Sequence, residues 1–397
     1  MPATQMKIAM RTSSSMRISW TDPSIRSVVY QVSAVVLIAS FVWFLVANTL
    51  DNLAAHNIAS GFGYLRHPAG FAISESWLTY SPLDTYGYAI LVGLTNTLRV
   101  AAIGIVAATV FGTLIGIARV SGNPLMSGIA SSYVEVVRNI PLLIQLFFWY
   151  VLITQVMPGP RDARVILPDV FLSNRGLAVP TIAGASSMPI LAGFCIALVL
   201  VVGLWRRRER HHVKTGVVRP YWRYVLVVAI TIPSAAFLGS GHDIRLDAPV
   251  LRGLNFSGGT SVSPEFTTLM LGLVFYTTAY IAEIVRAGIR SIQLGQWEAA
   301  RSIGLSNWKV LRLVILPQAL RVIVPPLASQ YLNLVKNSSL AVAIGFPDIV
   351  AVVDTVLNQT GQAIECILIV MAAYLTISLS ISFFMNWYNG RLALTER

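Results

Sequence analysis

Charged residues are scarce in this chain of 397 residues. Asp, Glu, Lys and Arg together make up 12% of it, about half of the roughly 25% found in soluble domains. Apolar residues make up 55%, and the mean hydropathy is +0.68. This composition excludes an ordinary soluble domain and predicts a protein of the lipid bilayer.

Cysteine is rare in this chain, and the common catalytic motifs are absent. Only Cys195 and Cys366 are present, both in apolar segments, so we expect packing roles and neither a disulfide framework nor a metal site. None of the four lysines follows a Gly, as a phosphate-binding loop requires, and the chain has no nucleophile turn or His-Glu-x-x-His pair. We therefore predict that the chain is not an enzyme and holds no cofactor or metal.

The apolar residues occur in runs long enough to cross a membrane, which takes about 20 residues. They predict an all-α membrane protein with about eight transmembrane helices. The predicted spans are residues 28–48, 88–118, 133–156, 182–204, 224–238, 263–285, 318–346 and 363–388. Residues 1–27 form a basic tail, and residues 347–362 a short re-entrant or outer segment.

The basic residues are distributed unevenly between the two sides of these spans. The net charge is +12, but no single basic face of the kind that binds nucleic acid is evident. With the amino terminus in the cytoplasm, 20 of the 29 Lys and Arg residues lie on the cytoplasmic side and six on the other. Because basic loops remain in the cytoplasm, we expect both termini there and the loop 50–87 outside.

A polar island with a fixed pattern separates the sixth and seventh spans. It contains Glu298, Ala299 and Ala300, then Gly304 four residues on, and ends on Val-Ile-Leu-Pro at Pro317. Good helix formers precede Gly304, which can adopt the left-handed conformation that ends a helix. The pattern predicts a short helix, a tight turn and a second helix that ends at Pro317.

This pattern resembles the cytoplasmic loop by which ABC importer permeases dock onto their ATPase subunits, with Val314 where that family has Ile. Further residues resemble the polar amino-acid branch of these permeases; they lie in the stretches 93–98, 135–145, 280–296, 317–325 and 333–340. The enlarged size of the chain is similar to that of the larger permease subunit of general L-amino-acid importers.

The resemblance implies a type I importer core of five helices with two additions. The core consists of residues 88–156 and 263–397, with the docking loop at 286–317. Residues 28–87 add a span and an outer loop. Residues 157–262 form a two-span insert, for which we expect a structural role.

The resemblance also implies partners. They are ABC ATPase subunits that bind the ATP, a second permease that is expected to be a paralogue, and a periplasmic amino-acid-binding protein. Together they would carry L-amino acids across the bacterial inner membrane. The docking residues carried over from the family pattern are Glu298, Ala299, Ala300, Gly304 and Pro317.

Polar residues inside the spans are further candidates, because ionisable groups in the bilayer are costly and commonly functional. Four of them are consecutive: Lys336, Asn337, Ser338 and Ser339. They cannot all face lipid, so we predict that they line the substrate pathway or pack between helices.

Two Glu–Arg pairs lie near the cytoplasmic ends of spans. Glu135 with Arg138, and Glu283 with Arg286, have the spacing that lets side chains meet on a helix. We predict gate or scaffold roles for both pairs. Arg99 lies in the outer third of a span, where a structural or snorkelling role is expected.

Two other classes of function remain open on this sequence. An ion-coupled secondary amino-acid transporter would need no ATPase and should contain buried carboxylates on broken helices, but the spans are poor in Asp and Glu. A purely structural membrane scaffold would not need the pattern from Glu298 to Pro317. Copurification of an ATPase would separate these alternatives.

Overall fold

The computed structural model describes residues 23–55, 61–183, 222–238 and 245–392, and a few residues between 196 and 204. Most of the predicted tail and most of the predicted span 182–204 lie outside these residues. The basic loop 205–223 lies almost wholly outside them as well.

Most of the described chain is helical, as its composition predicts. The α-helices of the described ranges are α1 (Pro23–Ala55), α2 (Tyr86–Arg119), α3 (Pro124–Asn139), α4 (Leu142–Val151), α5 (Trp222–Leu238), α6 (Pro264–Arg290), α7 (Leu294–Ser302), α8 (Asn307–Val310), α9 (Leu316–Asn337), α10 (Ile349–Thr360) and α11 (Ala363–Leu392). In this part of the chain, five helices are long and apolar enough to cross a membrane, or six if α3 and α4 form one bent span. The mostly helical membrane fold is thereby confirmed.

Short strands occur in the segment 157–262, where the sequence interpretation did not include any. In the described part they are β1 (Arg164–Leu167), β2 (Val170–Ser173), β3 (Gly176–Val179), β4 (Thr181–Ala183), β5 (Arg245–Asp247), β6 (Val250–Arg252), β7 (Asn255–Ser257) and β8 (Thr260–Val262). An antiparallel sheet has the order β1-β2-β3-β8, and β4–β5 and β6–β7 form separate pairs. Because Leu177 of β3 lies opposite Val262 of β8, the segment closes on itself immediately before α6.

Close packing of α2 against α6 is central to the helical part. A Cβ at Gly112 would lie 2.6 Å from the Cβ of Ile281, and a Cβ at Gly116 would lie 2.7 Å from the Cβ of Val285. Small residues four positions apart allow helix backbones to approach each other in a membrane, where packing is the main attraction. The two glycines therefore set the distance between α2 and α6.

A sharp bend of 103° separates α3 from α4, where the sequence predicts one span at 133–156. Pro141 explains the bend, because the residue before a proline is driven out of the helical region and Ile140 is extended (φ −105°, ψ 126°). The Gln145 side chain donates to the carbonyls of Val137 and Ile140, both at 2.9 Å. These carbonyls therefore keep hydrogen-bond partners at the break.

Residues 61–85 fold over one end of α2, α10 and α11. Tyr64 is buried in this region, and its hydroxyl lies 3.5 Å from the Sγ of the buried Cys366. Thr85 is the N-cap of α2, and its hydroxyl accepts a hydrogen bond from the backbone N–H of Tyr88. The loop is thus attached to the helices by a packed core and not only by its two ends.

Candidate functional site

The 298–317 segment begins inside a short helix and passes through a left-handed turn, as the sequence predicts. Helix α7 ends at Ser302, and Gly304, two residues later, has a φ of +79°. Its backbone N–H donates to the carbonyl of Arg301 at 2.9 Å, and the N–H of Leu305 donates to the carbonyl of Ala300 at 3.3 Å. These bonds cap the free carbonyls of the helix end in the way that glycine permits.

The second helix does not end at Pro317, so this part of the sequence interpretation was wrong. After α8, residues Leu311–Ile315 form a π-helical turn, and α9 starts at Leu316 with Pro317 in its first turn. Proline has no N–H and its ring displaces a preceding carbonyl, which a wider turn can accommodate. The segment is therefore continuous with the spanning helix α9.

One side of the segment is anchored and the other is exposed. Ala300 is buried in a core cluster with Ile315 and residues of α6 and α9. The predicted docking residues on the open side are exposed; they are Glu298, Ala299 and Gly304. Pro317, at the far end, is also exposed.

Apolar side chains that the sequence reasoning did not single out are exposed beside these residues. Leu294, Ile303 and Trp308 are 76%, 75% and 67% exposed, and the exposed Arg301 and Lys309 lie among them in the sequence. The sequence did contain a signal for this exposure. Three large apolar residues lie in a polar segment whose helices are too short to bury them. Aromatic residues and Arg are enriched where proteins bind each other.

Glu283 of α6 is surrounded by three guanidinium groups from three helices. Arg119 of α2 and Arg286 of α6 both hydrogen-bond to its carboxylate, and Arg138 of α3 lies 3.8 Å from it. Arg119 also donates to the hydroxyl of Ser131 at 3.3 Å. Sequence reasoning missed Arg119, because its acidic partner lies 164 positions further along the chain.

Arg138 does not pair with Glu135, although the spacing allows it. Its guanidinium points to Glu283 and lies 5.2 Å from the centre of the Tyr280 ring. Glu135 is exposed, and among the described residues it has no ion-pair partner. The structure thus joins three of the four predicted gate or scaffold residues and leaves the fourth apart.

The four consecutive polar residues have different surroundings; two are the last of α9, and two begin the 3-10 helix Ser338–Ile344 that follows it. Lys336 is exposed, Asn337 and Ser339 are half-buried, and Ser338 is buried. The Ser338 hydroxyl donates to the carbonyl of Val335 and the Ser339 hydroxyl to that of Lys336, both at 2.7 Å. Within the described ranges, the Lys336 ammonium has no ion-pair partner.

No three His, Cys, Asp or Glu side chains of the described residues are placed so that they could share a metal ion. The candidate site therefore consists of an exposed helix–turn–helix, a charge cluster on three helices and a polar end of α9.

Comparison with known proteins assigns the family. The family described as "Binding-protein-dependent transport system inner membrane component" matches residues 108–394. The chain belongs to this family. It is therefore an inner-membrane component of a binding-protein-dependent transport system.

Several relatives in this group of transport components match along almost their whole length. The general L-amino acid transport system permease protein AapQ of Rhizobium johnstonii is 47% identical over 386 residues, which is 96% of each chain. The glutamate/glutamine/aspartate/asparagine transport system permease protein BztB of Rhodobacter capsulatus is 38% identical, over 95% of this chain and 96% of its own length. A solved amino acid ABC transporter with histidines matches with a TM-score of 0.46 and 22% identity, over 77% of this chain and 95% of its own.

Proposed function

We propose that this chain is a permease subunit of an ATP-driven ABC importer that translocates L-amino acids across the inner membrane. The observation that carries the proposal is the 298–317 segment, an exposed helix–turn–helix that runs directly into the spanning helix α9. The names of the relatives AapQ and BztB support amino acids as the substrate class.

The 298–317 segment would be the surface on which an ABC ATPase docks. Ala299 is exposed and small, so a partner surface can approach the backbone of α7 closely, while the buried Ala300 fixes the helix to this chain. Gly304 forms the turn, and Pro317 lies where the segment enters α9. Movement of the ATPases on binding ATP would then pass into α9 without a flexible link, and this chain itself would hold no cofactor.

The Glu283 cluster would act as a scaffold close to the docking surface. Its carboxylate holds together α2, α3 and α6 through Arg119, Arg138 and Arg286. If the docking segment moved any one of these three helices, the other two would have to move with it, or the ion pairs of Glu283 would break. Glu135, which is exposed, would belong to the rim of the gate and not to its charged centre.

The end of α9 would line the substrate pathway. Lys336 is exposed on this single chain, which fits a pathway formed between this permease and a second one, expected to be a paralogue. An ammonium in the bilayer needs an anionic or polar partner, and an amino acid brings a carboxylate. Asn337, Ser338 and Ser339 would shape the same wall.

The charge asymmetry supports an orientation with both termini in the cytoplasm. The loop 61–85 and the strands of the segment 157–262 would then lie on the periplasmic side. A periplasmic amino-acid-binding protein would deliver substrate there.

Purification of the tagged chain from membranes, followed by reconstitution into vesicles, tests the proposal. We expect an ABC ATPase to copurify and amino-acid uptake to require ATP. Uptake that is driven by an ion gradient in the absence of any ATPase would refute the proposal and support the ion-coupled alternative.

A further inference from the structure

A largely buried ion pair joins the loop 61–85 to the helices, far along the chain from the 298–317 segment. Oε1 of Glu75 lies 2.9 Å from Nη1 of Arg99 on α2, and the two side chains are 13% and 19% exposed. Oε2 of Glu75 accepts a hydrogen bond of 3.3 Å from the backbone N–H of Ser263, the N-cap residue immediately before α6. Both oxygens of one carboxylate are therefore held by groups of the membrane helices.

Arg99 is held in place by aromatic rings as well as by Glu75. Its guanidinium carbon lies 4.3 Å from the centre of the Phe266 ring and 5.9 Å from that of Trp77. A guanidinium is attracted to aromatic faces, and its planar set of donors matches a carboxylate. The guanidinium of Arg99 therefore has a carboxylate and two aromatic rings as its neighbours.

Asn96 adds an unused acceptor one helical turn before Arg99. Its side chain is fully buried, and Nδ2 donates to the carbonyls of Glu75 at 2.8 Å and Pro347 at 2.9 Å. Its Oδ1 has no hydrogen-bond partner among the described residues. Buried acceptors without a donor are uncommon and costly, and an ammonium group would supply the missing donor.

Stability alone is a weak reason for such an ion pair. Removing two charges from water offsets much of their attraction, and apolar residues of similar size commonly stabilise a fold as well or better. The pair would have a function if another carboxylate could replace that of Glu75 at Arg99. The position that the Glu75 carboxylate occupies suits any carboxylate.

We propose that Arg99 receives the α-carboxylate of the transported amino acid and that the Glu75 carboxylate occupies this position when substrate is absent. Oδ1 of Asn96, which has no hydrogen-bond partner among the described residues, then accepts from the α-ammonium. Since Glu75 also holds Ser263 at the start of α6, its displacement frees the loop 61–85 from α6. Arrival of a zwitterionic amino acid is thereby coupled to opening of this side of the permease; the inference rests on the import function proposed above.

Two substitutions with opposite expected effects test this inference. The dissociation constant of a transported amino acid is measured on the purified permease–ATPase complex without the binding protein. Glu75→Gln removes the competing charge while keeping the size, so it should lower the constant several-fold. Arg99→Met removes the receptor and should raise it about tenfold or more, the loss typical of a hydrogen bond between charged groups.

A matched control is Asp84→Asn in the same loop, because Asp84 accepts from the N–H of Ser81 and does not contact Arg99. This variant should leave the dissociation constant unchanged. A second comparison uses the amine that lacks the α-carboxylate. The wild type should bind it much more weakly than the amino acid, and Arg99→Met should lose most of this preference.

The directions in which the two substitutions change the dissociation constant distinguish a substrate-binding role of Arg99 from a purely structural one. If Glu75→Gln and Arg99→Met change the dissociation constant in the same direction, or if Arg99→Met retains wild-type binding, the inference is wrong. Should Arg99→Met fail to assemble, Arg99→Lys keeps the charge but loses the paired donors, and it should weaken binding too. ATP-driven uptake by the wild type, measured in parallel, tests the import function separately.

Discussion

Charged side chains in this membrane protein form ion pairs with residues that lie far away along the chain. Glu283 is the clearest case, because Arg119, Arg138 and Arg286 all face its carboxylate from three different helices. Without that carboxylate, three guanidinium groups would remain close together with no anion between them. The helices that carry them would then repel each other instead of being joined.

Glu283→Gln should therefore lower the stability of the purified protein by roughly 1–3 kcal/mol, the usual cost of leaving charged groups without their partner. Glu135→Gln is the matched control, since Glu135 is exposed and should change stability by no more than about 0.5 kcal/mol. Thermal unfolding in detergent measures both. Equal stability of the two variants would show that the cluster is not a scaffold.

Lys336→Met should reduce amino-acid uptake more than it reduces assembly with the ATPase. Lys336 follows Arg321 by 15 residues, or roughly 22 Å along a helix, which is beyond the middle of a core about 30 Å thick. Methionine keeps most of the length of the side chain and removes the charge. Uptake and basal ATP hydrolysis are measured in the same vesicles, and unchanged uptake would place Lys336 against lipid and not in the pathway.

Among the elements, we expect that the 298–317 segment can be altered so that ATPase binding is lost while the chain still inserts into the membrane. Ala299→Arg adds bulk to the exposed side and should prevent the ATPase from binding while the chain still inserts into the membrane. Gly304→Val should do the same, because a side chain in the left-handed conformation costs roughly 1–2 kcal/mol and the turn would change.

Gly304→Asn is the control for this pair, since asparagine tolerates the left-handed conformation. It should retain the ATPase in a copurification assay, and no atom lies within 4 Å of the added Cβ to oppose it. Normal ATPase binding by both Ala299→Arg and Gly304→Val would rule out this segment as the docking surface.

The long helices could be predicted from apolar runs, because burial in lipid leaves a simple signal of length and hydropathy. The bend between α3 and α4 could not be located in the same way. Pro141 is visible in the sequence, but a proline can end, kink or begin a helix, and tertiary packing decides which. The strands of the segment 157–262 are three or four residues long, too short to show a clear alternation of apolar and polar residues.

The candidate site could be predicted only where its residues are neighbours in sequence. The turn at Gly304 follows from local rules, and it is present. Spacing also suggested that Arg138 would pair with Glu135, but the carboxylate of Glu283 on another helix is its partner. Contacts between distant segments, such as that of Glu75 with Arg99, leave no periodic signal.

For the molecule as a whole, the orientation in the membrane gives the most direct prediction. A variant without the native cysteines, carrying either Leu83→Cys or Ile303→Cys, is labelled on intact cells with a reagent that cannot cross the membrane. Both sites are well exposed, at 84% and 75%. We expect labelling at position 83 and none at position 303 until the membrane is opened.

Labelling of Arg210→Cys from outside would contradict this orientation, because residue 210 belongs to the basic loop that is predicted to be cytoplasmic. Residue 210 itself lies outside the described residues.

The pairing of β3 with β8 also dictates an order of events on the ribosome. Strand β8 is synthesised about 80 residues after β3, which at roughly 5–20 residues per second means a delay of roughly 4–16 s. Throughout that time one edge of the nascent β1-β2-β3 sheet has no strand beside it, and an unpaired edge can bind the wrong chain. Arrival of β8 closes the edge just before α6 emerges, so the sheet is completed before the close partner of α2 has been made.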